Sequence, residues 1–148
     1  VATMDGLCPP DHRSLFAFGE QRRATAAPNQ SVDAIDWVLQ PYTAYANLGG
    51  EVIWVTDAVP LLGVRAGVQQ ELLAPVVPFR DNPPGALTGM RDDWTTLQAP
   101  TCAGWSSVSA SERHNAGIPW VQHSGGYLNN GGEAPCDAYE HAYCVQQP

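Results

Sequence analysis

The four cysteines of the chain place the strongest constraint on its fold. They are Cys8, Cys102, Cys136 and Cys144, and none belongs to a C-x-x-C pair. An even number without that motif favours two structural disulfides over a zinc site or a redox motif. Three pairings are possible, and loop-closure entropy does not choose among them. Disulfides form in oxidising compartments, so the protein is predicted to be secreted or held at the cell surface.

The length and composition predict one folded domain that spans residues 1–148. Apolar residues make up 44% of the chain and charged residues 15%, a balance that argues against disorder. With 14 glycines and 13 prolines spread along the chain, long helices are not expected. The predicted class is therefore α+β, with mainly short antiparallel strands, long irregular loops and few short helices.

The charge of the chain excludes several classes of partner. Fifteen acidic residues stand against seven arginines and no lysine, which gives a formal net charge of -8. A nucleic-acid-binding surface needs a basic footprint, and this chain has none. Its apolar runs are also much shorter than a membrane-spanning helix requires, so no membrane span is expected.

Local patterns predict several elements. Residues 42–56 combine two strand-like arms with a Gly49-Gly50 turn, which predicts a β-hairpin. Between residues 91 and 135 the chain is rich in glycine, serine, asparagine and tryptophan, which indicates a long-loop region. Further strands are predicted at residues 14–18, 86–90 and 141–145, an irregular apolar segment at 61–78 and a turn at 81–85.

The end of the chain resembles a known family. Cys136, seven further residues and Cys144 match the ending of C-type-lectin-like domains, in which a final cysteine closes the last strand. The resemblance implies the C-type-lectin-like fold. It also implies an outer bridge, Cys8–Cys144, and an inner bridge, Cys102–Cys136, that pins the long loop.

Other motifs are similar to a bacterial branch of secreted lectin-like and endostatin-like domains of unassigned function. The resemblance extends over residues 35–147, whereas residues 1–34 match poorly. The motifs that carry it are Ile35-Asp36-Trp37-Val38-Leu39, Val52-Ile53-Trp54-Val55, Leu87-Thr88-Gly89-Met90, Asp93-Trp94-Thr95-Thr96 and Cys102-Ala103-Gly104-Trp105.

The long-loop region supplies the candidate ligand-binding residues. Polar and titratable side chains there can form hydrogen bonds, and aromatic rings can stack on a sugar or fill the core instead. Trp94 and Trp105 are expected to fill the core. The candidates are Glu112, His114, Asn115, Trp120, His123, Tyr127, Asn129, Asn130 and Glu133.

No cofactor or metal is expected. The calcium-binding triplets of sugar-binding C-type lectins are absent, although Asn129, Asn130 and Glu133 with loop carbonyls could form an oxygen site for calcium. No zinc-binding histidine spacing occurs, and neither does a G-x-S-x-G elbow or a close carboxylate pair. An enzyme is therefore not predicted.

Two functions remain. The first is an extracellular binding module that presents residues 106–133 to a glycan or a protein. The second is a structural subunit that assembles with copies of itself into a fibre, surface layer or shell through the apolar segment. Its candidate contacts are Leu61, Leu62, Leu72, Leu73, Val76 and Val77.

Overall fold

The computed structural model describes residues 2–77, 85–99, 101–130, 132–138 and 141–148. Within these residues the protein is an α+β structure of short strands and one-turn helices, as predicted. All four cysteines are paired, Cys8 with Cys144 and Cys102 with Cys136. This confirms the pairing that the family resemblance implied.

The elements are short because glycine and proline interrupt the chain frequently. The helical turns are α1 (Ala2–Asp5), α2 (Cys102–Trp105) and α3 (Ser124–Tyr127). The strands are β1 (His12–Ser14), β2 (Ala44–Ala46), β3 (Val52–Val55), β4 (Val64–Arg65), β5 (Val68–Gln69), β6 (Ala86–Leu87), β7 (Arg113–Asn115), β8 (Glu133–Pro135), β9 (His141–Ala142) and β10 (Cys144–Gln146).

These strands pair two by two. β1 is antiparallel to β10, β2 to β3, β4 to β5 and β7 to β8, whereas β6 and β9 are parallel. The β1–β10 pair joins the two ends of the described chain, and the Cys8–Cys144 bridge lies beside it.

Two predicted strand regions are confirmed. The β2–β3 hairpin occupies the middle of residues 42–56, and Gly50 takes a positive φ of 80° in its turn. Glycine tolerates that conformation because it has no Cβ. The closing strand is also present, although it is divided into β9 and β10.

The strand predicted at residues 14–18 is only partly correct. β1 ends at Ser14, and the following residues are buried without regular pairing because they contact other segments. The amide of Leu15 donates to the Tyr143 carbonyl, and that of Ala17 donates to the Thr88 carbonyl. Gly89 packs so closely on Ala17 that a Cβ there would overlap the Ala17 carbonyl oxygen.

The apolar segment and the long loop contain more regular structure than their sequences indicate. The segment predicted to be irregular includes the β4–β5 hairpin, and its last residue, Pro78, lies outside the described residues. Residues 81–84 of the predicted turn also lie outside them. The long-loop region contains α2, α3 and the β7–β8 pair. The strand predicted at residues 86–90 is limited to β6.

Large side chains from distant segments build the core. Trp94 is fully buried, with its ring edge-to-face against Trp37 and close to Tyr127. Aromatic rings favour such arrangements, and they fill the space between short strands. Trp105, which was expected to fill the core as well, is only partly buried, and it packs edge-to-face on Phe16 with the ring centroids 4.9 Å apart. None of the described helices has the length and apolar character needed to cross a membrane.

Candidate functional site

The β7–β8 ladder positions the candidate residues of the long-loop region. In its register Arg113 is opposite Pro135, His114 is opposite Ala134 and Asn115 is opposite Glu133. Side chains alternate between the two faces of a strand, so His114 and Asn115 point in opposite directions. His114 is buried, whereas Asn115 is only partly buried.

The ladder ends at Asn115 and Glu133, and Asn129 and Asn130 of the connection before β8 lie next to this end. We call these four polar residues the amide cluster. Asn115 Nδ2 donates to Asn129 Oδ1 at 3.2 Å, and the Asn130 amide donates to the Ala116 carbonyl. The side chain of Asn130 accepts from the Gly132 amide at 2.8 Å. Asn130 and Glu133 are exposed, so the cluster is open to solvent on one side.

One atom of the amide cluster lacks a partner. The Oδ1 of Asn115 is buried and accepts no hydrogen bond from any described residue, although Nδ2 of the same amide is bonded. Buried polar atoms are almost always satisfied. Other exceptions among the described residues, such as Trp54 Nε1 and Trp94 Nε1, lie in the core, whereas Asn115 Oδ1 lies beside exposed polar side chains. The cluster therefore combines a buried acceptor without a partner with the exposed side chains of Asn130 and Glu133.

The remaining candidates are distributed over two other positions, and of these only His123 is exposed, whereas Trp120 and Glu112 are partly buried. Trp120 and His123 belong to the turn before α3, which packs on the apolar segment because Leu72 and Gln122 exchange two hydrogen bonds. Glu112 lies at the opposite end of β7, where its carbonyl accepts from the Cys136 amide. The predicted residues thus form one cluster and two separate positions.

Two candidates are buried, which corrects their assignment to a binding surface. His114 is 2% exposed and Tyr127 is 0% exposed. The Tyr127 hydroxyl donates to the Leu62 carbonyl at 2.8 Å, and burial raises its pKa well above the ordinary value. Tyr127 stays neutral and supports the core, so it offers no face to a ligand.

The candidate residues for self-assembly also include both buried and exposed side chains. Leu61, Leu62 and Leu72 are buried, and Val76 is partly buried against the core, so these four side chains cannot form a contact surface. Leu73 is 66% exposed, and Val77 is exposed as well. The Leu73 amide donates to the Ile53 carbonyl, which places Leu73 beside the exposed Val52 and Val55 of β3.

A cleft of about 880 Å³ lies between the β2–β3 hairpin and β10. Ile53 and Leu62 contribute apolar surface, and the amide side chains of Gln40, Asn47 and Gln146 line it as well. Its volume is within the range of small-molecule sites. The cleft could not be predicted from the sequence because its lining residues come from about the first half of the chain and from its end, and no spacing pattern connects them.

Three side chains of the described residues lie close enough to share a metal ion. One ligand atom each from Cys102, His114 and Cys136 lies within 4.8 Å of the other two. Both sulfurs are bonded to each other in this structure, so they are not metal ligands in this state. This group could not be predicted from the sequence, because 12 positions separate Cys102 from His114 and 22 separate His114 from Cys136, and neither spacing is typical of a zinc site.

These features define a disulfide-linked α+β domain with a polar cluster on an irregular loop surface. Residues 9–119 match the sequence model of a family described as a protein of unknown function, DUF1554, and the chain belongs to that family. The matched range includes Cys102 and His114 and ends before α3. Searches of curated proteins and of solved structures gave no match.

Proposed function

We propose that this protein is an extracellular, non-catalytic binding module with the C-type-lectin-like fold, and that its loop surface binds a glycan or a protein. The outer Cys8–Cys144 bridge and the inner Cys102–Cys136 bridge have the pairing of that fold, which supports the proposal. Two bridges also favour an oxidising location such as the cell exterior.

The single observation that carries this function is the unsatisfied Oδ1 of Asn115 in the amide cluster. This oxygen is closed to solvent in the structure, so a ligand hydroxyl or N–H group can donate to it only after the surrounding side chains shift. The exposed Glu133 is opposite Asn115 in the ladder, and the exposed Asn130 bonds through its backbone to Ala116, so both can offer polar groups to a ligand at this end of the ladder. This chemistry favours a glycan, because sugar hydroxyls act as both donors and acceptors.

A glycan panel tests the proposal directly. The disulfide-bonded protein is applied to immobilised neutral, amino-sugar and sialylated glycans, and the affinity of any binder is then measured by calorimetry. We expect Asn115→Leu to weaken binding by about tenfold, since a lost hydrogen bond costs roughly 0.5–1.5 kcal/mol. Asn130→Ala is expected to weaken it as well.

A second variant distinguishes the amide cluster from the cleft. Ala46 lines the cleft and is exposed, so Ala46→Trp is expected to fill the cleft without reaching the cluster. Binding that survives Ala46→Trp and is weakened by Asn115→Leu supports the proposed site. The reverse result would assign the ligand to the cleft, and a panel without any binder would contradict the glycan function.

Calcium is an additional candidate at the same cluster. Three amide oxygens and one carboxylate are the hard donors that calcium prefers, although one protein carboxylate gives weak binding. An ion that binds only the folded state raises thermal stability. A melting temperature that is the same with millimolar calcium and with chelator would argue against this ion.

The second candidate function, a self-assembling structural subunit, is favoured by one specific observation. Val52, Val55 and Leu73 are exposed apolar side chains on adjoining backbone segments, and we call them the β3 patch. A contiguous apolar surface on a small domain often contacts another molecule. The β3 patch replaces the buried leucines as the proposed contact between copies.

Sedimentation velocity over a range of concentrations tests this alternative. Leu73→Glu is expected to prevent assembly because it places a charge within the patch. Leu7→Glu is the matched control, since Leu7 is equally exposed at 64% but lies near the N-terminus. A protein that remains monomeric at all concentrations would exclude self-assembly.

A further inference from the structure

The environment of the inner disulfide contains a histidine that the binding function does not use. His114 is in the centre of β7, where Thr101 pairs with it on one side and Ala134 on the other. Cys102 follows Thr101 and Cys136 lies two residues after Ala134, so both sulfurs meet near the imidazole. The Nδ1 of His114 is 3.5 Å from the Sγ of Cys102.

We propose that the reduced form of this cysteine pair, together with His114, is a binding site for Zn²⁺. Thiolate sulfur and imidazole nitrogen are the preferred donors of this ion, and two cysteines with one histidine form a known tetrahedral donor set. In the oxidised protein the sulfurs are bonded to each other, and the site is closed. Reduction therefore decides whether the ion can bind.

The donor geometry suits a tetrahedral ion. With Zn–S bonds of about 2.3 Å and Zn–N bonds of about 2.0 Å, two sulfurs are separated by roughly 3.8 Å, and each sulfur is roughly 3.5 Å from the nitrogen. The Cys102 Sγ and His114 Nδ1 are already 3.5 Å apart. The Cα atoms of the two cysteines are 5.7 Å apart, and side-chain rotation can separate the sulfurs once their bond is broken.

The surrounding structure restricts the movement of two of the three ligands. His114 and Cys102 are both buried, and Cys136 is partly buried. The Trp105 ring packs between Phe16 and His114, with centroid distances of 4.9 Å and 6.4 Å. Ligands held by packing lose little freedom when an ion binds, which favours tight binding. The fourth coordination position is left for water.

The chemistry balances with an external dithiol as reductant. The dithiol transfers two electrons and two protons to the Cys102–Cys136 bond, which breaks to give two thiols, and the dithiol itself closes to a cyclic disulfide. Zn²⁺ then displaces one proton from each thiol as the two metal–sulfur bonds form. Binding consequently weakens as the pH falls, because the ion competes with protons for sulfur.

Cobalt titration of the full chain provides the test. The protein is reduced and the reductant is removed under anaerobic conditions; Co²⁺ is then added, followed by Zn²⁺. We expect about one equivalent of Co²⁺ per reduced chain, with thiolate-to-cobalt charge-transfer bands that Zn²⁺ abolishes. The oxidised protein should show neither the cobalt uptake nor the charge-transfer bands. The absence of stoichiometric uptake by the reduced chain would overturn the proposal.

Matched variants assign the ligands. His114→Gln preserves size and is expected to weaken Co²⁺ binding by more than about tenfold, whereas the exposed His123→Ala should bind like the native sequence. The double variant Cys8→Ser/Cys144→Ser should retain the bands. If Co²⁺ uptake is unchanged in His114→Gln, or is lost in Cys8→Ser/Cys144→Ser, the ion binds elsewhere and the proposed site is wrong.

One measurement needs no variant. Zn²⁺ should slow the alkylation of Cys102 and Cys136 in the reduced native protein but leave Cys8 and Cys144 reactive, as peptide mass mapping reports. Equal protection of all four cysteines, or of none, contradicts the proposal. The proposal is also contradicted if the reduced chain stays unfolded when Zn²⁺ is present, as judged by the near-ultraviolet circular dichroism of its tryptophans.

Discussion

Arg22 and Asp5 form a two-bond ion pair beneath the first residues of the chain. Nη1 and Nη2 of Arg22 each donate to a different oxygen of Asp5 at 2.7 Å, and the Arg22 side chain is 0% exposed. Asp36 accepts further bonds from the same guanidinium at 3.1 and 3.2 Å. A buried arginine is retained at low cost only when its charge is compensated in this way.

The ion pair changes the titration of its members. Hydrogen bonds from Arg22 hold the pKa of Asp5 far below its usual range. Arg13 and then Arg22 lower the pKa of Asp36. Burial alone would lower the pKa of Arg22, but the hydrogen bonds that it donates to Asp5 and Asp36 outweigh this effect, and the pKa is raised. All three groups therefore remain charged at neutral pH.

The first prediction concerns acid stability. Asp5 has a lower pKa in the folded state than in the unfolded state, so its contribution is complete above about pH 4, the unfolded value, and is lost as the pH falls further. Thermal unfolding should show a falling melting temperature below that pH. Asp5→Asn should cost about 3 kcal/mol at pH 7, because it removes charge compensation from buried Arg22.

The control for this prediction is Asp137→Asn, which makes the same charge change at an exposed position. It should leave both the stability at pH 7 and the acid profile unchanged. The Asp5→Asn profile should be flatter than that of the native sequence. Equal slopes for the two variants would contradict the assignment of the acid transition to Asp5.

The sequence predicted the features that depend on local chemistry or on cysteine spacing. The Gly49-Gly50 turn between two apolar arms predicted the β2–β3 hairpin, since the glycines allow the tight turn and the arms pair across it. The resemblance to lectin-like domains predicted both disulfides through the Cys136 to Cys144 spacing.

Features that depend on distant contacts were not predictable. Arg22 looks like an exposed charge until Asp5 and Asp36 are placed around it. The β7–β8 pair has no apolar alternation because its strands contain histidine, asparagine, glutamate and proline. The β4–β5 hairpin turns at Ala66-Gly67, and alanine at a positive φ of 52° is an uncommon turn residue. Tertiary contacts determine these elements.

The second prediction separates a structural role from a binding role for Tyr127. Tyr127→Phe removes the hydroxyl that donates to the buried Leu62 carbonyl, so the free energy of unfolding should fall by about 1–3 kcal/mol. Urea denaturation measures this change. Tyr42→Phe, at a side chain that is 76% exposed, should have no effect. Glycan affinity should be equal in both variants, and a selective loss in Tyr127→Phe would return this residue to the binding surface.

The third prediction tests the backbone of α2. Cys102, Ala103, Gly104 and Trp105 all have positive φ, between 48° and 69°, so the turn is left-handed. A left-handed conformation costs an L-residue other than glycine roughly 1–2 kcal/mol. Ala103 is exposed and its side chain contributes little to packing, so Ala103→Gly should raise the free energy of unfolding by about 1 kcal/mol.

The matched control is Ala110→Gly, at an exposed alanine in the same region that has no positive φ. Glycine there increases the entropy of the unfolded chain without relieving strain, so the free energy of unfolding should fall by about 0.4–1 kcal/mol. The two substitutions are chemically identical, and opposite signs in urea denaturation would therefore arise from the backbone alone. If both destabilise the protein equally, the segment that carries Cys102 is not left-handed in solution.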